Sequence, residues 1–227
     1  MDLLESLSAK TADGIALKPS TLKHLEEFVR RYPALAGNKD SVRRAAEFIC
    51  KSYRAGGKIL VCGNGGSAAD SEHIVGELMK EFILPRHLPE SDLRKLQEIG
   101  CSRLAGCLQQ GIPAIALTAH TSIATAILND TDPQVCFAQQ VYVYGRPNDV
   151  LLVLSTSGNS ANVLNAVKVA RAFGLTTLGL TGSKPSAIDE HCDVTIKVPA
   201  DKTFMVQELH LPVYHTICLM AEEELFG

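Results

Sequence analysis

Two residues, His73 and Glu77, put an imidazole and a carboxylate four positions apart, which places both on one face of a helix. That pair suits two ligands of one zinc ion, or one ligand and one general base. It equally suits an ordinary solvated intrahelical pair, and what precedes it in the chain weighs against that reading. In VCGNGGS, residues 61–67, a short apolar run ends in three glycines and a serine. Such a loop turns sharply and leaves backbone amides uncovered, and Ser67 opens a helix whose N-terminus favours negative charge. Ile74, Val75 and Leu78 occupy neighbouring positions, so this helix face is expected to be partly buried.

The loop also satisfies G-x-G-x-x-G/A, the dinucleotide fingerprint, with G-N-G-G-S-A. That fingerprint needs an acidic residue at the tip of the next strand. Here the next strand-like run, residues 113–118, ends near His120 with no acid at its tip. A cradle for phosphate or a polyhydroxyl group is the better fit. The second loop, LSTSGNSANV at 154–163, sets Ser155, Thr156, Ser157 and Ser160 between a very apolar run and a helix. One hydroxyl is enough to cap a helix; four at a strand's end, backed by a helix N-terminus, form a phosphate cradle without a lysine. The Walker lysine is absent, which argues against nucleoside triphosphate hydrolysis.

The C-terminal segment MVQELHLPVYHTICLMAEEELF brings Gln207, His210 and His215. Gln207 and His215 are separated by about 12 Å along a regular helix and about 80° around it. Either both lean inward toward one ion, helped by a bend at Pro212, or they serve neighbouring copies of the site across a subunit boundary. His210 faces elsewhere and reads as structural or interfacial.

These groups need a frame. Short apolar runs at 58–63, 113–118, 149–158, 176–182 and 193–198 alternate with helix-like stretches at 67–82, 121–144, 160–173 and 203–225. The alternation predicts an α/β fold, a five-stranded parallel sheet with helices on both faces. Residues 1–55 carry only amphipathic helical signals and are expected to form an N-terminal helical arm serving oligomerisation, with the sheet domain at 56–227. Residues 84–111, charged and then helical, interrupt the rhythm and read as an exposed insertion, or as a lid or subunit contact.

Composition agrees with a soluble globular chain: 227 residues, 46% hydrophobic and 21% charged, net charge −3. No Lys/Arg run exceeds two, so no electrostatic footprint for nucleic acid is seen. Seven scattered cysteines without C-x-x-C read as reduced thiols. MDLLESLSAK lacks the apolar length of a secretory signal, and no run approaches a membrane span. A cytoplasmic location is expected.

GNGGSAAD, STSG followed by NSANV, and the order of strands resemble the sugar isomerase (SIS) domain, and within that group the phosphoheptose isomerases. The resemblance runs from about residue 20 to the C-terminus and is most specific at 62–78, 128–130, 154–163 and 207–215. It implies conversion of sedoheptulose 7-phosphate to D-glycero-D-manno-heptose 7-phosphate, through an enediol, at a zinc site. It implies substrate contacts from Asn64, Gly65, Gly66, Ser67, Asn129, Asp130, Ser155, Thr156, Ser157 and Ser160. Zinc ligands by resemblance are His73, Glu77, Gln207 and His215, with Glu77 and His215 the acid–base pair and Glu77 and Gln207 also touching substrate. A homotetramer with sites between subunits is implied as well. Three features depart from the family: His120 and Phe204 stand where many relatives carry acidic residues, and the 84–111 insertion is long. The alternatives are a non-catalytic SIS scaffold that binds the replication initiator protein, and a SIS enzyme or sensor for another phosphosugar.

Overall fold

The computed structural model describes residues 15–227. Helices α1 (Pro19–Arg31) and α2 (Lys39–Arg54) lead into strand β1 (Ile59–Gly63) and helix α3 (Gly66–Met79). Next come α4 (Glu90–Glu98), the single turn α5 (Ser102–Ala105), β2 (Ala114–Ala116), α6 (Thr121–Asp130) and α7 (Cys136–Tyr144). The chain closes with β3 (Val150–Leu154), α8 (Ala161–Ala172), β4 (Thr176–Thr181), β5 (Val194–Lys197) and α9 (Thr203–Phe226). The five strands form one parallel sheet in the order β2-β1-β3-β4-β5. This is the fold class expected from the sequence.

Every residue of β1 and β3 is buried, because helices cover both faces; this is why those strands read as continuous apolar runs without alternation. Side chains still divide by parity. Ile59, Val61, Val150 and Leu152 pack in the core beneath α1, α2, α3 and α9, while Leu60, Cys62, Leu151 and Val153 join the core beneath α7 and α8.

The helix expected over 121–144 is two helices. Pro133 lacks the amide that a continuous helix needs, and the Asp132 carboxylate instead accepts from the Gln134 amide at 2.9 Å, capping a short turn. The segment expected as an arm has its partner surface in its own chain, with residues 1–14 outside the described region. Leu25 and Phe28 of α1 and Ala45, Ala46 and Ile49 of α2 belong to the main core. Glu224 near the end of α9 accepts from the Lys18 amide, the Thr21 hydroxyl and the Arg54 guanidinium at 2.9, 2.9 and 2.6 Å. Burial alone raises a carboxyl pKa, but these donors outweigh it and hold Glu224 below the ordinary range.

The insertion is exposed; α4 buries none of its residues. Its two ends are joined by an antiparallel bridge between His87 and Gln109 and by a 2.8 Å bond from the Gln110 amide to the Arg86 carbonyl. Among the described residues, no helix is long and apolar enough to cross a membrane.

The neck of the insertion carries a buried ion pair. Arg86 Nε donates to Glu222 Oε1 at 2.8 Å, with both side chains fully buried. Glu222 also accepts from the amides of Phe82, Ile83 and Leu84, while Arg86 donates to the carbonyls of Leu78 and Glu77. One guanidinium therefore closes the C-terminal end of α3, and one carboxylate of α9 collects the amides that follow it.

His210 on α9 is fully buried, and among the described residues neither ring nitrogen makes a well-formed hydrogen bond, a looser contact with the Thr181 backbone offsetting burial only in part. Burial pushes its pKa from 6.5 down to about 4. The fold thus favours neutral imidazole: the full stability is present above pH 6.5 and is lost as pH falls from there toward 4, by up to about 3 kcal/mol. In His210→Met, denaturant titrations from pH 7.5 down to about pH 4 are expected to show a shallower loss of stability than wild type. Parallel curves for the two proteins would contradict this account.

Candidate active site

In a doubly wound sheet of order 2-1-3-4-5, the crevice for ligands lies beyond the C-terminal ends of β1 and β3, where connections leave in opposite directions. Both loops singled out in the sequence start there, because Gly63 and Leu154 are register partners at the strand ends. Gly65 takes φ +57°, a left-handed conformation that glycine adopts without steric cost, and the chain turns into α3. The two loops are tied together by Asn64 and Asn162, whose side-chain amides exchange hydrogen bonds of 2.9 Å in both directions. Asn162 was not among the expected site residues. It stands inside the quoted NSANV run, but only the sheet order reveals that it faces Asn64.

The hydroxyl loop is shaped by its own bonds. Ser155 Oγ lies 3.2 Å from Ser160 Oγ and accepts from the Gly158 amide at 3.1 Å; Ser157 Oγ accepts from the Asn159 amide at 3.2 Å. Ser160 occupies the N-cap position of α8 without making a cap bond, so capping is not what its hydroxyl does. Gly158 has φ +65°, and a Cβ on it would sit 2.2 Å from Ser186 Oγ, leaving no room for a side chain. Asn159 is held from behind by the Ala187 amide at 2.9 Å. The result is a rigid ring of hydroxyls at the N-terminus of a twelve-residue helix, a site suited to an anion.

The second cluster lies where α3 packs beside α9. His73 Nε2 is 3.0 Å from Glu77 Oε1 and 3.4 Å from His215 Nε2. The ring of Phe82 covers His215 at a centroid separation of 5.4 Å. Burial, then the neighbouring His73, holds the His215 pKa below its ordinary value, partly offset by Glu77, so its imidazole is neutral near pH 7. On the other side of His73, Nδ1 lies 3.1 Å from the Tyr214 hydroxyl, which donates to Asp70 Oδ1, also at 3.1 Å. Burial raises the Asp70 pKa, moderated by the Tyr214 bond.

This donor set fits zinc in its chemistry. Two imidazole nitrogens and a carboxylate oxygen are the usual ligands, and in a tetrahedron with bonds near 2.0 Å neighbouring ligand atoms stand about 3.3 Å apart. The separations of 3.0 and 3.4 Å fall on either side of that value. Among the described residues no group of three or more His, Cys, Asp or Glu side chains is arranged to hold a metal ion; His73 instead contacts Glu77 on one side and His215 on the other.

Each of the other expected groups contacts a residue outside the His73–Glu77–His215 set. Gln207 rests against Gly66, where an added Cβ would be 2.7 Å from its Nε2. Gly66 is seven residues from His73, about 10 Å along the helix, so Gln207 stands with the glycine loop, not with His73. Asn129 and Asp130 end α6, and their side chains bond each other at 2.7 Å on the surface. His120 lies just past β2, with Nδ1 2.7 Å from Gln140 Oε1. The Gln140 amide donates to the carbonyls of Leu117 and Cys136, which fixes the orientation of that side chain. Phe204 is exposed.

The parallel sheet, the two anion loops at its switch point and the His–Glu–His cluster define a protein of the SIS class, and the SIS domain family model matches residues 24–93 and 100–182. The break between those segments falls inside the insertion. Within that class the chain belongs to the phosphoheptose isomerase family. It is 41% identical over 181 residues to the phosphoheptose isomerase of Roseiflexus sp. (strain RS-1), covering 80% of each chain. It is 40% identical over 185 residues to that of Rhodospirillum rubrum, covering 82% of this chain and 86% of the relative. The solved phosphoheptose isomerase of Neisseria gonorrhoeae matches with TM-score 0.67 and 31% identity, over 98% of this chain and all of the other.

Removing the Asn64 partner tests the bridge between the loops. Asn162→Ala is expected to weaken binding of a sugar phosphate about fivefold to thirtyfold, as one or two net hydrogen bonds of about 1 kcal/mol suggest, with the melting temperature nearly unchanged because the pair is on the surface. Calorimetric titration beside a thermal melt measures both, and unaltered affinity would remove Asn162 from the site.

Proposed function

We propose that this sugar-phosphate isomerase interconverts sedoheptulose 7-phosphate and D-glycero-D-manno-heptose 7-phosphate by proton transfer through an enediol. What supports the reading is the contact of His73 with Glu77 and His215 on the helix that the glycine loop opens. A ketose phosphate has an anion at one end and a carbonyl at the other. The glycine loop at the N-terminus of α3, tied by Asn64 and Asn162 to the hydroxyl loop, and proton-transfer groups two to three turns along α3 suit such a molecule.

The phosphate is taken by Ser155, Thr156, Ser157 and Ser160 with the α8 amides, and the polyol by Asn64, Gly65, Gly66 and Ser67. Glu77 takes a proton from C1 of the ketose, and the carbonyl oxygen on C2 gains one, forming the enediol. Glu77 then returns its proton to C2 while His215 removes the proton from the C1 oxygen, leaving the aldose. A zinc ion held by His73, Glu77 and His215 would polarise the carbonyl as a Lewis acid. His215, neutral at pH 7, is suited to relaying protons between the oxygens.

The positions of Gln207, Asn129 and Asp130 support a site completed by a neighbouring subunit. Gln207 is in contact with Gly66, and Asn129 and Asp130 bond to each other on the surface, which fits the reading that they serve the adjoining copy in a homotetramer.

Glu77→Gln is expected to lower turnover by about 10²- to 10⁴-fold and to abolish deuterium uptake from solvent at C1, followed by proton NMR with C6–C8 ketose phosphates. Zinc content, measured on the same sample, separates loss of the base from loss of a ligand. Undiminished exchange would exclude Glu77 as the base.

A further inference from the structure

A second element braces the hydroxyl loop from outside. Between β4 and β5 runs a single helical turn, Ala187–Glu190, opened by Ser186 in a capping box with Asp189. The Asp189 carboxylate accepts from the Ser186 amide and the Ser186 hydroxyl, each at 2.9 Å, and from Lys197 Nζ on β5 at 2.7 Å. Burial raises the Asp189 pKa, but Lys197 and Ser186 outweigh it and hold the carboxyl below its ordinary range. We propose that Asp189 and Asn159 are positioning residues for the phosphate end of the substrate: the capping box holds two amides of the turn against the hydroxyl loop and thereby aims that loop's own donors. This rests on the reading of residues 155–160 as the phosphate loop.

A trans peptide points its carbonyl and the following amide in opposite directions. A loop that turns its amides toward an anion must therefore find donors for its carbonyls on the far side. The turn supplies one donor directly, since the Ile188 amide binds the Gly158 carbonyl at 3.2 Å. The other acts through Asn159, whose Oδ1 accepts from the Ala187 amide at 2.9 Å while its Nδ2 donates to the Ser157 carbonyl at 3.0 Å. With both carbonyls taken, the amides of the same two peptides face the hydroxyls: Gly158 donates to Ser155 Oγ at 3.1 Å and Asn159 to Ser157 Oγ at 3.2 Å. A hydroxyl that accepts a bond keeps its proton to give, so Ser157 retains one for an anion. Ser155 and Ser160, 3.2 Å apart, use one of their two protons between them and retain the other. Either carbonyl turned inward would set a partial negative charge against the phosphate. Ser186 adds a steric limit, because it lies where a Cβ on Gly158 would be. A turn that only joined β4 to β5 would need no bond to this loop; here the first two amides of the turn both go to it.

Asn159→Ala and Asp189→Ala are compared with wild type by calorimetric titration with inorganic phosphate, sedoheptulose 7-phosphate and unphosphorylated sedoheptulose. Asn159→Ala removes two of the bonds and is expected to weaken phosphate binding about fivefold to thirtyfold; Asp189→Ala, acting through the turn, about twofold to tenfold. The sugar phosphate is expected to weaken by the same factor and the unphosphorylated sugar not at all. Thermal melts verify folding, and the exposed Asn159 serves alone if Asp189→Ala does not fold. Unchanged phosphate affinity in the folded variants would overturn the proposal. So would an equal loss for the unphosphorylated sugar, which marks a general loosening of the crevice. Ser160→Ala, whose hydroxyl meets Ser155 and not the turn, separates this result from the reading beneath it. Phosphate affinity lost there, but kept in Asn159→Ala and Asp189→Ala, overturns the positioning role and leaves the phosphate site standing. Affinity kept in Ser160→Ala, or no phosphate binding by wild type, removes the loop as the phosphate site and the proposal with it.

Discussion

The placement of the His73–Glu77–His215 cluster depends on one buried ion pair. Arg86 and Glu222 are both fully enclosed, where an unpaired charge is strongly destabilising. Each compensates the other and also takes up backbone groups that would otherwise be orphaned. Arg86 takes the carbonyls of Glu77 and Leu78 at the end of α3; Glu222 takes three amides of the chain that leaves it. Because Glu222 lies on α9, this knot locks the axial position of α3 against α9. His73 and Glu77 sit within two turns N-terminal to the knot on one helix, and His215 sits two turns before it on the other. A slip of one turn between these helices, about 5.4 Å, would separate all three. The insertion begins and ends at the same knot, which lets a long exposed segment leave the fold without loosening the cluster.

The other half of the site depends on strand order. In a parallel sheet, one reversal in the direction of winding leaves a crevice, and here it falls between β1 and β3. Those two strands lead into the glycine loop and the hydroxyl loop, joined across the crevice by the Asn64–Asn162 amide pair. The backbone at Gly65 and the lack of space beside Gly158 explain why these positions are glycine: the first needs a left-handed turn, and the second has Ser186 against its Cα. The loops hold their shape by internal bonds before any ligand arrives, an arrangement that spares a bound anion the cost of ordering them.

What a single chain does not assemble is as informative. Gln207 and His215 lie on the same helix and on one side of it, yet one reaches Gly66 and the other His73, two different levels of the same neighbour. Helix–helix packing thus divides the C-terminal residues between the loop end and the metal-type end of α3.

The sequence by itself determined the fold class, the strand positions and the two anion loops. Apolar runs ending in glycines or hydroxyls are local signals, and burial on both faces leaves little else such runs can become. It also determined that His73 and Glu77 share a face, since helical spacing alone settles that. It missed the break near Pro133, where one proline outweighed a long helical pattern. Only the tertiary structure decided which groups meet. Asp70 and His73 reach Tyr214 and His215 across more than 140 positions, Asn64 reaches Asn162 across 98, and Arg86 reaches Glu222 across 136. Periodicity gives a side chain's direction around its own helix, but the neighbour it faces, and at what height, is set by how the helices pack.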